Sequence, residues 1–504
     1  MELATLGDWQ TAAERLTALA ADVPDSSVIW RDLAMLRGWL ADNPGCIDGL
    51  RRYAAIRATE ENGLEDAVEA DATAMFLSPD PLGDQVEMLK VVWTVKDVDR
   101  LQEGLLSSPR WRNLPFNPAQ FSDGENPPPK AAFMLLDRPM PESAEGLDLQ
   151  TVPNMLGQAL LFGRQTDREA RLEVMGVAAD ELPPVSEMVR EAGGDVVEPE
   201  PKKEAIGHWS ASQMLLRTAW QPPRGATPEQ LRGMMAEHVR NAILDRWPEL
   251  KLGVLDGRSP REAAADPACR TKVLAAILVL SQWTEQLSSA IDYNELRAKL
   301  GLPPLGPIDA KQQPIDDLPV VRLGRVNLDG LSDDDLIAAY YRAAAFAIRP
   351  ALRKFATAIT ERPSLADATE RLHAFTALAR TEEDIAKALE YVERGRQATD
   401  KKKISNVTWD LMELSFHFAN RNGPEAMRLI DHIQKRHMEE PRVAEMLTRM
   451  LIDVGLLNPD GSPAIGPESA AQPAMAPEPS EPGGLWTPDS EQAGGGGGKL
   501  WTPE

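Results

Sequence analysis

The chain has 504 residues, 43% hydrophobic and 26% charged, a composition that folds and has room for two to four domains. Its 54 Lys and Arg against 78 Asp and Glu leave a formal charge of −24, so nucleic acid is not an expected partner. Two cysteines, Cys46 and Cys269, are too few for a disulfide framework or a cysteine zinc site, and neither a signal-peptide pattern nor an apolar run of bilayer length is present, so the expectation is a cytoplasmic protein with no membrane partner.

Residues 1–80 alternate helical periodicity with short breaks. Trp9, Ala12, Leu16 and Leu19 share one helical face, and Pro24-Asp25-Ser26-Ser27 interrupts it. A second helix runs through Trp30, Leu33, Ala34, Arg37 and Gly38. After Asn43-Pro44-Gly45, a third carries Ile47, Leu50, Tyr53 and Ile56. Trp30-x-x-Leu33-Ala34, with Pro24 six residues before it, resembles the opening of a tetratricopeptide repeat. Ala34, Arg37, Cys46 and Ala58 depart from that pattern. The resemblance implies antiparallel helical hairpins and a chain that starts at the second helix of a repeat. Glu61, Glu65, Asp66 and Glu69 are expected to form a solvated face.

Residues 81–191 read as a small α+β unit. Ala131 to Asp137 is a short apolar run between proline loops, hence a strand. Leu156–Arg164 and Ala170–Val177 form a hairpin around a five-residue polar loop, and Val86–Leu106 is an amphipathic segment. Asp137 and Arg138, at the end of a strand, are the pair to inspect for a hidden active site, although a polar loop start is the favoured reading. Residues 192–206 read as a linker.

Residues 207–301 form a helical domain. Ser259-Pro260-Arg261-Glu262 has the signature of a capping box with proline at the first position. The stretch from Leu255 to Ala264 resembles a turn–helix of several bacterial helical domains, some regulatory, and capping alone explains it. Residues 302–329 are a proline-rich connector. Residues 330–457 are a second helical-repeat domain, with acidic helix starts at Ser332–Asp335 and Thr381–Asp384. Trp409-x-x-Met412-Glu413-x-x-Phe416 followed by Ala426 and Leu429 is similar to a second, degenerate tetratricopeptide repeat. Lys401-Lys402-Lys403 reads as a solvated loop before a helix. The fold class is therefore mainly α, as antiparallel helical hairpins with an inserted α+β unit and a C-terminal tail.

Residues 458–504 have nine prolines and the run Gly494–Gly498, a composition expected to be disordered. The tail repeats one motif: Leu485-Trp486-Thr487-Pro488-Asp489 and Leu500-Trp501-Thr502-Pro503-Glu504. Leu and Trp supply an apolar anchor, Pro lowers the ordering cost, and the acidic residue suits a basic rim. The indoles lie 15 residues apart, a reach of roughly 20 Å in a flexible linker. A bivalent partner could be bridged; neutral duplication and folding back onto the chain's own helices are the alternatives.

The six histidines show no metal-ligand spacing. His432 and His437 are five apart, poor for one helical face, and His417 between two phenylalanines reads as packing. There is no phosphate-binding loop and no nucleophile elbow. No catalytic residue, metal or cofactor is assigned. The preferred reading is a non-enzymatic scaffold or adaptor for unidentified protein partners, held by helical repeats and by the tail motif. The alternative is an enzyme or ligand-binding regulator built on residues 81–191.

Overall fold

A computed structural model describes residues 6–115, 128–164, 168–284, 291–458, 460–462 and 464. The chain forms two compact units, residues 1–358 and 359–504. It is mostly helical, with one six-stranded antiparallel sheet. Among the described residues no helix is long and apolar enough to cross a membrane.

The first unit opens with four helices, α1 (Trp9–Asp22), α2 (Ser27–Trp39), α3 (Asn43–Arg57) and α4 (Leu64–Phe76), each packed on the next. Asp8 and Asp42 cap α1 and α3 by accepting backbone N–H bonds. Small residues permit the crossing of α2 and α3: a Cβ on Gly49 would come within 2.9 Å of the Ala34 Cβ, and Ala34 is fully buried. Trp30 donates its indole N–H to the Pro24 carbonyl at 2.8 Å, fixing the entry to α2.

The sheet follows as β1 (Gln85–Thr94), α5 (Val98–Ser107), β2 (Trp111–Leu114), β3 (Ala131–Leu136), β4 (Met155–Phe162), β5 (Arg171–Ala178), α6 (Leu182–Gly193) and β6 (Lys202–Ser210), with strand order β2-β3-β4-β5-β1-β6. The expected strand and hairpin are therefore present. Two expectations differ. The amphipathic segment Val86–Leu106 is a strand and a helix, because Asp97 caps α5 by accepting from the Arg100 N–H and so ends the strand pattern. The expected linker at 192–206 contributes the start of β6, whose charged Lys202, Lys203 and Glu204 suit an exposed edge. Leu101 and Leu105 of α5 and Val185 and Val189 of α6 cover one face of the sheet, against Phe133, Leu135, Leu161, Leu172 and Val174. The two helices meet at Gly104, where a Cβ would lie 2.0 Å from the Ala192 carbonyl oxygen.

A second core joins α4 to α7 (Pro228–Asn241) and α8 (Arg270–Thr284) around the buried Trp247. Here the capping box is complete: Ser259 accepts from the Glu262 N–H, and Glu262 accepts from the Ser259 N–H at 2.8 Å. The connector 302–329 has only short 3₁₀ turns, as its prolines require, and leads to α9 (Asp333–Ala345), capped by Ser332.

The second unit contains α10 (Thr369–Thr381), α11 (Ile385–Lys402), α12 (Val407–Ala419), α13 (Gly423–Arg436) and α14 (Val443–Asp453). The cap of α11 is Asp384 alone, since Thr381 closes α10. Lys401 and Lys402 lie in the last turn of α11 rather than in a loop, where they complement the helix dipole. Trp409 is buried, donates to Thr399 Oγ1 at 2.7 Å, and lies over Gly395. Leu411, Leu414, Leu429, Ile430, Ile433 and Leu447 form the core of the last three helices.

Candidate functional site

The tail residues Leu485–Asp489 and Leu500–Glu504 lie outside the described residues. Asp137 and Arg138 do come together, but in a closed arrangement. Asp137 Oδ2 accepts from Arg138 at 2.8 and 3.0 Å, and its Oδ1 accepts from the Asn154 N–H at 2.8 Å. Arg138 also donates to the Gln150 carbonyl. Both side chains tie the loop before β4, and the face of the sheet covered by α5 and α6 is filled with apolar side chains. Two cavities lie elsewhere in the first unit. One, of about 510 Å³, is bordered by Tyr53, Phe76, Leu278 and Val320; another, of about 400 Å³, by His208, Trp209, Arg217 and Trp283.

Of the four acids expected to form a solvated face, Glu65, Asp66 and Glu69 on α4 are half-buried, and only Glu61, which precedes the helix, is exposed. Arg322 of the connector donates to both Glu69 oxygens at 2.6 and 2.9 Å and pairs with Asp66. Arg325 forks onto Glu65 at 2.7 and 2.9 Å, and Arg57 donates to Asp66 at 3.0 Å. Burial opposes the charge on Arg322, but its hydrogen bonds to Glu69 and Asp66 overcome this and hold the guanidinium firmly protonated. Burial raises Glu69 above the ordinary carboxylate range despite Arg322. On Glu65 burial acts the same way, yet Arg325 and Arg322 prevail and its carboxyl lies below that range. Nearby Arg297 is lowered to about 10 by burial and by the charge of Arg325. Helical spacing at 65, 66 and 69 aims these acids at one connector, and every charge in the clamp is met.

The second unit holds a cluster of a different kind. In the hairpin of α12 and α13, the start of one helix meets the end of the other. Asp410, in the first turn of α12, thus faces His432 in the last turns of α13 and His437 just beyond its end. Asp410 Oδ2 lies 3.2 Å from His437 Nε2 and 3.6 Å from His432 Nε2. Among the described residues these three form the one group with metal-ligating atoms all within 4.8 Å of one another. The Asp410 side chain is only 5% exposed, and its Oδ2 has no hydrogen-bond partner. Its Oδ1 accepts from Arg396 at 2.9 Å.

The surroundings fix these groups. His437 Nδ1 lies 2.5 Å from Glu440 Oε1, which also accepts from Ser405 Oγ at 2.8 Å. Hydrogen bonds from His437 and Ser405 hold the Glu440 carboxyl below its ordinary value. Burial opposes the charge on Arg396, but bonds to Glu413, Glu393 and Asp410 keep it protonated. His432 is 45% exposed and forms the solvent side of the cluster. His417 is buried beside Glu413, in keeping with a packing residue.

The five-residue spacing of the histidines misleads because α13 ends at Arg436. His437 has φ −126° and ψ −1°, which turns its ring off the helical face and back toward Asp410. Lys435 and Arg436 as the last basic turn signal that ending in the sequence. No protein-family model, no curated protein and no solved structure matches this chain.

Proposed function

We propose that this chain is a non-enzymatic protein–protein scaffold, gripping one partner through its helical hairpins and another through the duplicated Leu-Trp-Thr-Pro-acid tail motif. The observation that carries the reading is an apolar stripe on α2 that faces away from the core. Val28, Met35 and Trp39 fall on one helical face and are 54, 49 and 55% exposed, and Trp9 meets Trp39 at a ring separation of 5.4 Å. From Val28 to Trp39 the stripe runs roughly 16 Å, about three helical turns. That length and spacing suit an amphipathic helix of a partner, anchored by the two indoles. The degenerate tetratricopeptide pattern at Trp30 and at Trp409 fits the same use, since stacked hairpins present side chains for binding.

Partner recovery by quantitative pull-down tests this with wild type, Trp39→Glu, and the double variant Trp486→Ala/Trp501→Ala. Each variant should lose a distinct subset of partners. Identical partner lists for all three proteins would overturn the reading.

A further inference from the structure

We infer that Asp410, His432 and His437 bind a first-row divalent cation of the zinc class. The site is separate from the scaffold surfaces: neither Trp39 nor the tail belongs to it.

The donor set is chemically suited. Two imidazole nitrogens and one carboxylate oxygen favour zinc and its neighbours over calcium or magnesium, which prefer all-oxygen shells. Spacing agrees as well. Bonds of about 2.0–2.1 Å in a tetrahedron put ligand atoms about 3.3 Å apart. The separations from Asp410 Oδ2 are 3.2 and 3.6 Å. Both separations lie within a few tenths of an ångström of that edge, and the two histidine nitrogens lie within 4.8 Å of each other.

The orphaned oxygen is the second, independent observation. A carboxylate oxygen buried without a hydrogen bond carries a desolvation cost of about 1–3 kcal/mol or more, and buried polar atoms rarely stay unpaired. Asp410 Oδ2 is such an atom, and it points at the two Nε2 atoms. In the neutral tautomer in which His437 Nδ1 donates to Glu440, Nε2 presents a lone pair to that oxygen, and two acceptors then face one another. A cation between them satisfies both, and His432 as well. A doubly protonated His437 bridging Asp410 and Glu440 would account for one histidine only.

The outer shell has the form that metal sites use. Glu440 holds the His437 ring through Nδ1, Ser405 holds Glu440, and Arg396 fixes the non-ligating oxygen of Asp410. Carboxylates of Glu393, Glu413 and Glu440 add negative potential, set against the guanidiniums of Arg396 and, at Glu413, Arg428. The three protein ligands leave a fourth position on the side of the exposed His432, open to water.

The test uses the untagged full-length chain, stripped with EDTA, dialysed and titrated with Co²⁺ while the visible d–d absorption is followed. Wild type should take one equivalent with the intense bands of a four-coordinate site, and Zn²⁺ should displace it. His432→Ala, which removes an exposed ring and should leave the circular dichroism unchanged, should abolish the bands. Glu440→Gln should retain the site but weaken binding by about 10–100-fold. Absence of saturable Co²⁺ binding by wild type, or wild-type binding by His432→Ala, overturns the inference.

Discussion

Both units bury clusters of charged side chains, and the two clusters differ in how completely they are paired. On α4, Glu65, Asp66 and Glu69 meet Arg57, Arg322 and Arg325 through forked bonds, and the clamp closes on itself. At the meeting of α12 and α13, Asp410 gives one oxygen to Arg396 and leaves the other facing two imidazole nitrogens. A cluster whose charges are all met fastens one segment to another. A cluster that leaves a buried carboxylate oxygen facing two imidazole nitrogens offers a place for a cation. Buried carboxylates thus serve structure in one place and binding in the other, and the difference lies in whether arginines or imidazoles meet them.

Breaking the closed cluster should have the largest effect. Arg322→Ala leaves Glu69 and Asp66 half-buried without their principal partner, and should destabilise the first unit by about 3 kcal/mol, read from urea denaturation. Arg322→Lys should recover part of this, because an ammonium cannot reproduce the fork. Next comes the packing beneath the open cluster. Gly395→Ala places a Cβ 2.3 Å from the Trp409 ring, next to Asp410, and should cost about 2 kcal/mol. It should also weaken Co²⁺ binding without touching a ligand, which would tie the site to the buried face of α12.

Two smaller effects calibrate the closed side. Ser259→Ala opens the reciprocal capping box and should cost about 1 kcal/mol in the same denaturation. The pH dependence of the clamp is smaller still. Glu65 lies below the ordinary carboxylate range when folded, so its contribution is complete above that range and is lost as pH falls through its folded value. Glu69 lies above the range and contributes in the opposite sense, taking up its proton first. The stability difference between wild type and Glu65→Gln should therefore shrink between about pH 6 and about pH 3, by less than about 1 kcal/mol because the pair is partly solvated. A difference that grows on acidification would reverse the assignment of Glu65.

Much of the fold is readable from local chemistry. The helix break at Pro24, the strand Ala131–Leu136, the hairpin and the Ser259 capping box all follow from caps, turns and periodicity, whereas Asn43-Pro44-Gly45 forms the first turn of α3 and the break lies at residues 40–42. What local pattern hides is pairing between distant segments. The acids of α4 carry the spacing of a solvated face, and only Arg322 and Arg325, some 250 residues later, turn that face inward. Strand β6 hides within a stretch with the composition of a linker, because its partner β1 lies more than a hundred residues before it. The cluster of Asp410, His432 and His437 escapes a search by helical spacing since one histidine lies past the helix end. The basic last turn marks that end, but the approach of Asp410 is set by packing of α12 on α13.

Hydrogen exchange followed by mass spectrometry, on the full-length chain with EDTA and with one equivalent of Zn²⁺, tests the contrast most directly. Added metal should slow exchange at the start of α12 and around His432 to Glu440, and leave α4 and residues 315–326 unchanged. Exchange that is the same throughout with and without metal, or protection appearing at the closed clamp instead, would contradict the account.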